Sequence, residues 1–181
     1  MMHAVRNILQ RRFFVAAAVL CFAVALSAQA QEWKSYSYPS DGFRASFPSE
    51  PQLQKSNVPT QAGTFELRAY LVQVSSGALF IGVCDYGASA AGSDPDTLLQ
   101  RAKQGALNNV NGHLLSENKF TLGIYHGLGF ESENDTMHFS ARIYLVGDTL
   151  YQTLVASPFG SNYADKARFL DSFELIPRAR N

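Results

Sequence analysis

The second half of this chain is a succession of strand-length segments separated by short turn signals, and that rhythm restricts the fold more than any other feature. His113–Leu122 is followed by 127–133, Met137–Val146 and 149–156. Gly147-Asp148 divides the last two, and Asn134-Asp135 marks a second bend. Two-residue turns of this chemistry join antiparallel neighbours, so the segments predict a meander. They also fix a register. With Asn134-Asp135 at the bend, Phe130 faces Phe139 and Glu131 faces His138. With Gly147-Asp148 at the bend, Leu145 faces Leu150 and Tyr144 faces Tyr151. Phe139, Ala141, Ile143 and Leu145 then share one face, while Tyr144, Val146, Tyr151 and Val155 share the other. Apolar groups on both sides of a sheet call for a cover on each.

The first half supplies more strands and the main helix. Residues 33–38 and 43–47 alternate around Pro39-Ser40-Asp41-Gly42, strong turn chemistry, and predict a hairpin. Pro48, Pro51 and Pro59 mark an irregular stretch unable to supply central sheet hydrogen bonds. Residues 65–74 and 79–86 are the next two strands. Ser93 or Asp94 can cap a helix whose first turn holds Pro95 and Asp96, where proline is tolerated and an acid meets the positive end of the dipole. Leu98, Leu99, Ala102, Ala106 and Val110 follow one helical face, and Asn111-Gly112 stops it. A closing helix over 162–173 brings Phe169, Leu170 and Phe173 to the sheet. The expected architecture is α+β, a mainly antiparallel β-sheet with helices packed on both faces, an α/β/α sandwich.

Two stretches carry a family likeness. Tyr36-x-x-Pro39-x-x-Gly42-Phe43-x-x-x-Phe47-Pro48 near the start and Arg168-Phe169-Leu170-x-Ser172-Phe173 near the end resemble the ends of PsbP-like domains. The order of elements between them fits as well, so the resemblance spans most of residues 32–176. It implies an antiparallel sheet sandwiched by helices and an accessory, assembly or binding role rather than an enzymatic one. A tryptophan often follows the early Phe-Pro in that family, where this chain has Glu50-Pro51. No functional residue of the family maps onto this sequence, and a shared fold does not transfer a function.

Residues 1–30 read as a cleavable export signal ahead of a single PsbP-like α+β domain, 31–181. Arg6, Arg11 and Arg12 form a basic start with no acidic residue before position 31, an apolar run covers 13–26, and Ala28-Gln29-Ala30 offers small residues for cleavage between Ala30 and Gln31. The apolar run has about 14 residues where a spanning helix needs roughly 20, which argues against an anchor. Leu20 stands where lipoprotein processing at Cys21 requires a small residue. The expected location is periplasmic or secreted.

Without that segment 12 Lys+Arg face 15 Asp+Glu, with no basic cluster, so the charge gives no case for nucleic acid or anionic membranes. One cysteine is left after cleavage, Cys84, inside the apolar run 79–84, where it acts as a small hydrophobe. His113, His126 and His138 share no zinc-ligand spacing. The register sets Glu131 against His138 with Arg142 further along, either a cross-strand contact or a general-base pair. Glu131, Glu133 and Asp135 cluster at a hairpin tip without the spacing of a calcium loop. Asp94-Pro95-Asp96 is helix N-terminal chemistry. No Gly-x-Ser-x-Gly elbow is present, and Gly123, Gly127 and Gly129 open no helix. Asn134-Asp135-Thr136 matches a glycosylation sequon.

Aromatic residues are the remaining signal. Trp33, Tyr36 and Tyr38 gather at one end of the sequence, and Tyr144, Tyr151, Phe159 and Tyr163 at the other. Tyrosine and tryptophan favour binding surfaces because they combine area with a polar tip. Trp33, Tyr36, Tyr144 and Tyr151 are therefore the expected partner surface, and core packing is the competing assignment. The leading function is a non-enzymatic exported domain, with no cofactor, that binds a protein or a cell-envelope component. Two alternatives stay open: a carrier with an apolar pocket near Phe130, Phe139 and Phe169, and a metal-assisted hydrolase built from His126, Glu131 and His138.

Overall fold

A computed structural model describes residues 32–60, 63–90 and 92–179, so the segment read as an export signal lies outside the described residues. Five strands come first: β1 (Lys34–Tyr38), β2 (Phe43–Phe47), β3 (Gln52–Thr60), β4 (Gly63–Val74) and β5 (Gly77–Asp85). A single 3-10 turn and α1 (Pro95–Val110) follow, then β6 (His113–Leu122), β7 (Tyr125–Glu133), β8 (Met137–Val146) and β9 (Thr149–Pro158). The chain ends through α2 (Lys166–Asp171) and β10 (Glu174–Leu175). Both sheets are antiparallel; the larger has the order β3-β4-β5-β9-β8-β7-β6 and the smaller β1-β2-β10. After β5 the chain crosses one face as α1, re-enters at the far edge as β6, and meanders back until β9 pairs with β5.

Strand alternation divides the core in two. Leu79, Ile81 and Val83 of β5 join Tyr70, Val72, Tyr144, Tyr151 and Val155 on one face of the large sheet. Against them pack Phe43, Ala45 and Phe47 of β2 with Phe169, Leu170 and Phe173. Phe43, Phe47 and Phe169 are fully buried, and each such side chain contributes roughly 2–3 kcal/mol. The opposite face carries Cys84, Leu128, Phe130, Ala141, Ile143, Leu145 and Leu150 under Leu98, Leu99 and Leu107 of α1. Both faces are thus covered, but by different means. Only α1 is a full helical layer; the other cover is the three-stranded sheet with the six-residue α2 beside it. The expectation of helices sandwiching the sheet is corrected accordingly, while the mainly antiparallel α+β class stands.

Local signals were followed where nothing distant competed. Asp94 caps α1 by accepting from the Thr97 amide at 2.8 Å, Pro95 opens the helix, and Asn111 closes it in the left-handed conformation. The Gly147-Asp148 turn sets Leu145 opposite Leu150 and Tyr144 opposite Tyr151. At the other bend the register moves by two. Glu131 pairs with Ser140 and Glu133 with His138, because the two residues at the bend are Asp135-Thr136, one later than expected, and the Asn134 amide already donates to the Met137 carbonyl. The Asn134 side chain accepts from the Thr136 and Met137 amides and donates to the Val110 carbonyl at 2.7 Å, which fixes the displaced turn against α1.

Two further segments depart from expectation. The proline-bearing stretch is irregular over 48–51 as expected, but residues 52–60 pair regularly with β4, at the edge of the sheet, where Pro59 leaves no inner ladder broken. The last helix is half the expected length. Asp165 makes no side-chain cap, and the Ser172 hydroxyl turns back to the Phe169 carbonyl at 2.7 Å while accepting the Ser46 amide at 2.9 Å. That ends α2 and releases Phe173 to stack between Phe43 and Tyr144.

Candidate functional site

The carboxylate–histidine pair forms, though by a different route than direct opposition. His138 Nε2 lies 2.8 Å from Glu131 Oε2, a diagonal contact across β7 and β8, and the Ser140 hydroxyl donates to the same oxygen at 2.5 Å. Lys166 of α2 reaches Glu131 Oε1 at 3.4 Å. Glu133 sits beside both His113, at 3.1 Å, and His138, at 4.0 Å. Every one of these carboxylates faces a cation or an imidazole, so the cluster ties β6, β7, β8 and α2 together. Arg142, on the same face, reaches the Leu170 carbonyl and Asp171 of α2 at 3.1 and 2.6 Å.

His126 is elsewhere. Its Nδ1 contacts Asp96 of α1 at 2.9 Å, on the opposite face of the sheet from Glu131 and His138. The hydrolase trio therefore cannot converge, and that reading is withdrawn. Among the described residues no group of three or more His, Cys, Asp or Glu side chains is placed to hold a metal ion. Asp96, drawn by Lys119 at 2.6 Å as well as by His126, is held below the ordinary carboxylate range, chiefly by the Lys119 hydrogen bond.

The carrier pocket meets a similar obstacle. Phe130 and Phe139 lie on the face covered by α1, and Phe169 is fully buried on the other, its ring tilted against Phe47 at 5.2 Å. Three rings divided by a sheet line no common cavity. Cys84 is buried on the α1 face with its thiol pushed up to about 11, by burial first and the Asp85 charge second. The sequon asparagine spends its amide nitrogen on Val110.

The expected aromatic surface splits in two. Tyr144 is 2% exposed and Tyr151 3%, so both are core residues, a correction to their assignment as partner contacts. Their alternation was read properly, but the small sheet covers the face they share. Tyr151 directs its hydroxyl to the Asp41 carbonyl at 2.7 Å. Trp33 and Tyr36 stay half-buried at the margin of the small sheet. Tyr36 meets Phe47 edge-on, and the Arg168 guanidinium lies 4.8 Å above the Trp33 ring.

A polar joint that sequence inspection missed lies at the opposite end of the small sheet. Asp41, in the β1–β2 turn and nearly buried, accepts from Arg68 Nε at 2.7 Å and from the Tyr70 hydroxyl. Arg68 also donates to Asp85 at 2.7 Å, and Asp85 accepts from Thr149 and Arg178 at 2.7 and 2.9 Å. Burial alone would raise the Asp85 carboxyl, but the donors Thr149, Arg68 and Arg178 outweigh it and hold it below its ordinary value. Backbone bonds from Ile176 to Gly42 and from Ala179 to Pro39 lay the chain's tail along the same turn. An open recess of about 480 Å³ lies alongside, bordered by Leu53, Lys55, Glu66 and Arg178. The available signal was Arg68 itself, a charge at an inward position of a strand otherwise pointing Tyr70 and Val72 into the core.

Comparison with solved structures agrees with this architecture. Cyanobacterial PsbP (CyanoP) from Synechocystis sp. PCC 6803 superposes with a TM-score of 0.54 at 10% identity, covering 83% of this chain and 96% of that one. The fold is PsbP-like. LpqN of Mycobacterium tuberculosis, described as involved in cell envelope biogenesis, gives 0.44 at 13% identity, covering 81% of this chain and 91% of that one. A Pseudomonas aeruginosa protein of unknown function gives 0.38 at 7% identity over 70% of this chain and 83% of that one. The sequence matches no family model and no curated protein. No helix among the described residues is long and apolar enough to cross a membrane.

Proposed function

We propose that this protein is an exported accessory domain that binds a protein or another cell-envelope component and carries out no catalytic step. The observation that carries this reading is the Trp33–Arg168 pair. Tryptophan and arginine are the side chains most often responsible for binding energy at protein interfaces. Here the guanidinium, about half exposed, lies over the indole face, and the indole itself packs against the core cluster that holds Phe47 and Phe169. A rigid base lowers the entropy lost when a partner immobilises the pair. The PsbP-like fold supports an accessory role, and the basic, apolar and small-residue order of residues 1–30 supports export.

The test is crosslinking in intact cells from a photoreactive residue at Lys34, beside the pair, followed by affinity measurement with whatever protein is captured. Trp33→Ala or Arg168→Ala should weaken that complex by about thirtyfold, the equivalent of a 2 kcal/mol contact. Unchanged affinity in both variants, or a turnover activity abolished by a single substitution, overturns the reading.

A further inference from the structure

The edge strand β6 carries a pattern that is complementary to itself. It closes the large sheet with β7 as its one neighbour, so the outward half of its backbone amides and carbonyls forms a template for another strand. Around Asn118 the side chains read Ser116, Glu117, Asn118, Lys119, Phe120. A second copy running antiparallel, with the two-fold axis through Asn118, sets each Glu117 opposite the other copy's Lys119 on the α1 side of the sheet. Those charges already meet α1, Glu117 through Lys103 and Lys119 through Asp96 at 2.6 Å. Pairing would therefore join two intramolecular ion pairs into one ladder across the axis.

Exposed apolar residues stand at both ends of this edge. Leu114 and Leu115 are exposed at one end, and Ile124, 85% exposed, stands at the other, in the β6–β7 turn. Antiparallel self-pairing brings the first end of each copy to the second end of its mate, so these exposed apolar groups gather at the two ends of the paired strands. A bulge between Leu114 and Ser116 limits the regular ladder to Ser116–Phe120 in each copy. A pairing with a two-fold axis and bounded ends closes as a dimer rather than growing into a filament. The other edge, β3, lacks this symmetry: Pro59 interrupts its donors, and Lys55 has no acid at the mirrored position about any nearby residue.

We propose that this protein forms a two-fold dimer through β6, extending the large sheet from one copy into the next. A residue on the axis faces itself, which supplies the test. The full chain, produced with its N-terminal segment and purified from the producing cells, is examined by sedimentation equilibrium. Asn118→Lys and Asn118→Asp each place like charges about 5 Å apart across the axis and should weaken dimerisation roughly tenfold. Mixing the two variants should restore it, a rescue that misfolded chains would not give. Three results overturn the proposal: an unsubstituted chain that stays monomeric at high concentration, a dimer indifferent to both charges, or a mixture no tighter than either variant alone. A monomer whose crosslink to a different protein is lost in both variants would assign the edge to that protein instead.

Discussion

Asp41 holds three groups at once: the Arg68 guanidinium, the Tyr70 hydroxyl and, through its own carbonyl, the Tyr151 hydroxyl. Removing the carboxylate leaves Arg68, whose side chain is 14% exposed, with Asp85 at 2.7 Å and the more exposed Glu66 at 3.6 Å, and leaves the Tyr70 hydroxyl without its acceptor. Asp41→Ala should lower stability by about 3 kcal/mol, read as a fall in the urea midpoint at neutral pH. Asp85 makes a pH-dependent contribution. Its carboxyl is depressed in the folded state, so its stabilisation is present above the ordinary carboxylate value of about 4 and is lost as pH falls through the lower, folded value. Asp85→Asn should therefore flatten the decline in stability below about pH 4 compared with the unsubstituted protein. An equally steep decline would assign the acid sensitivity to other carboxylates.

Elements governed by near neighbours could be read from the sequence, and those governed by distant ones could not. Both caps of α1 and the Gly147-Asp148 turn lie within a few residues of the groups they satisfy. Asn134 departed from its expected turn because its partner, the Val110 carbonyl, is 24 residues away. Ser172 ended α2 early partly by accepting an amide 126 residues earlier in the chain. The same reasoning covers the candidate sites. Glu131 and His138, 7 residues apart, were found, while Asp41, Arg68, Asp85 and Arg178 were missed as a group because their separations run from 17 to 93 residues. Two substitutions measure these local devices. Asp94→Ala should cost about 1 kcal/mol through the lost cap. Gly77 has φ of 143°, and a Cβ there would come within 1.8 Å of the Ala156 carbonyl oxygen. Gly77→Ala should thus cost more than about 2 kcal/mol, by thermal melting, since both the backbone and the neighbouring strand must shift.

At the scale of the molecule, the small sheet and the tail act as a cover clasped onto one face of the large sheet. The tail contributes two backbone bonds and the Arg178–Asp85 contact. Truncation after Leu175 should lower stability by roughly 2–3 kcal/mol, from three hydrogen bonds of about 1 kcal/mol each. The sequence contains a single tryptophan, Trp33, and it sits at the margin of this cover, beneath Arg168. Its emission is therefore an optical reporter for the small sheet alone, whereas far-ultraviolet circular dichroism is dominated by the large one. Denaturation followed by the two signals would superimpose if the layers melt as one unit. A tryptophan transition arriving first would show the cover lifting while the larger sheet is still formed.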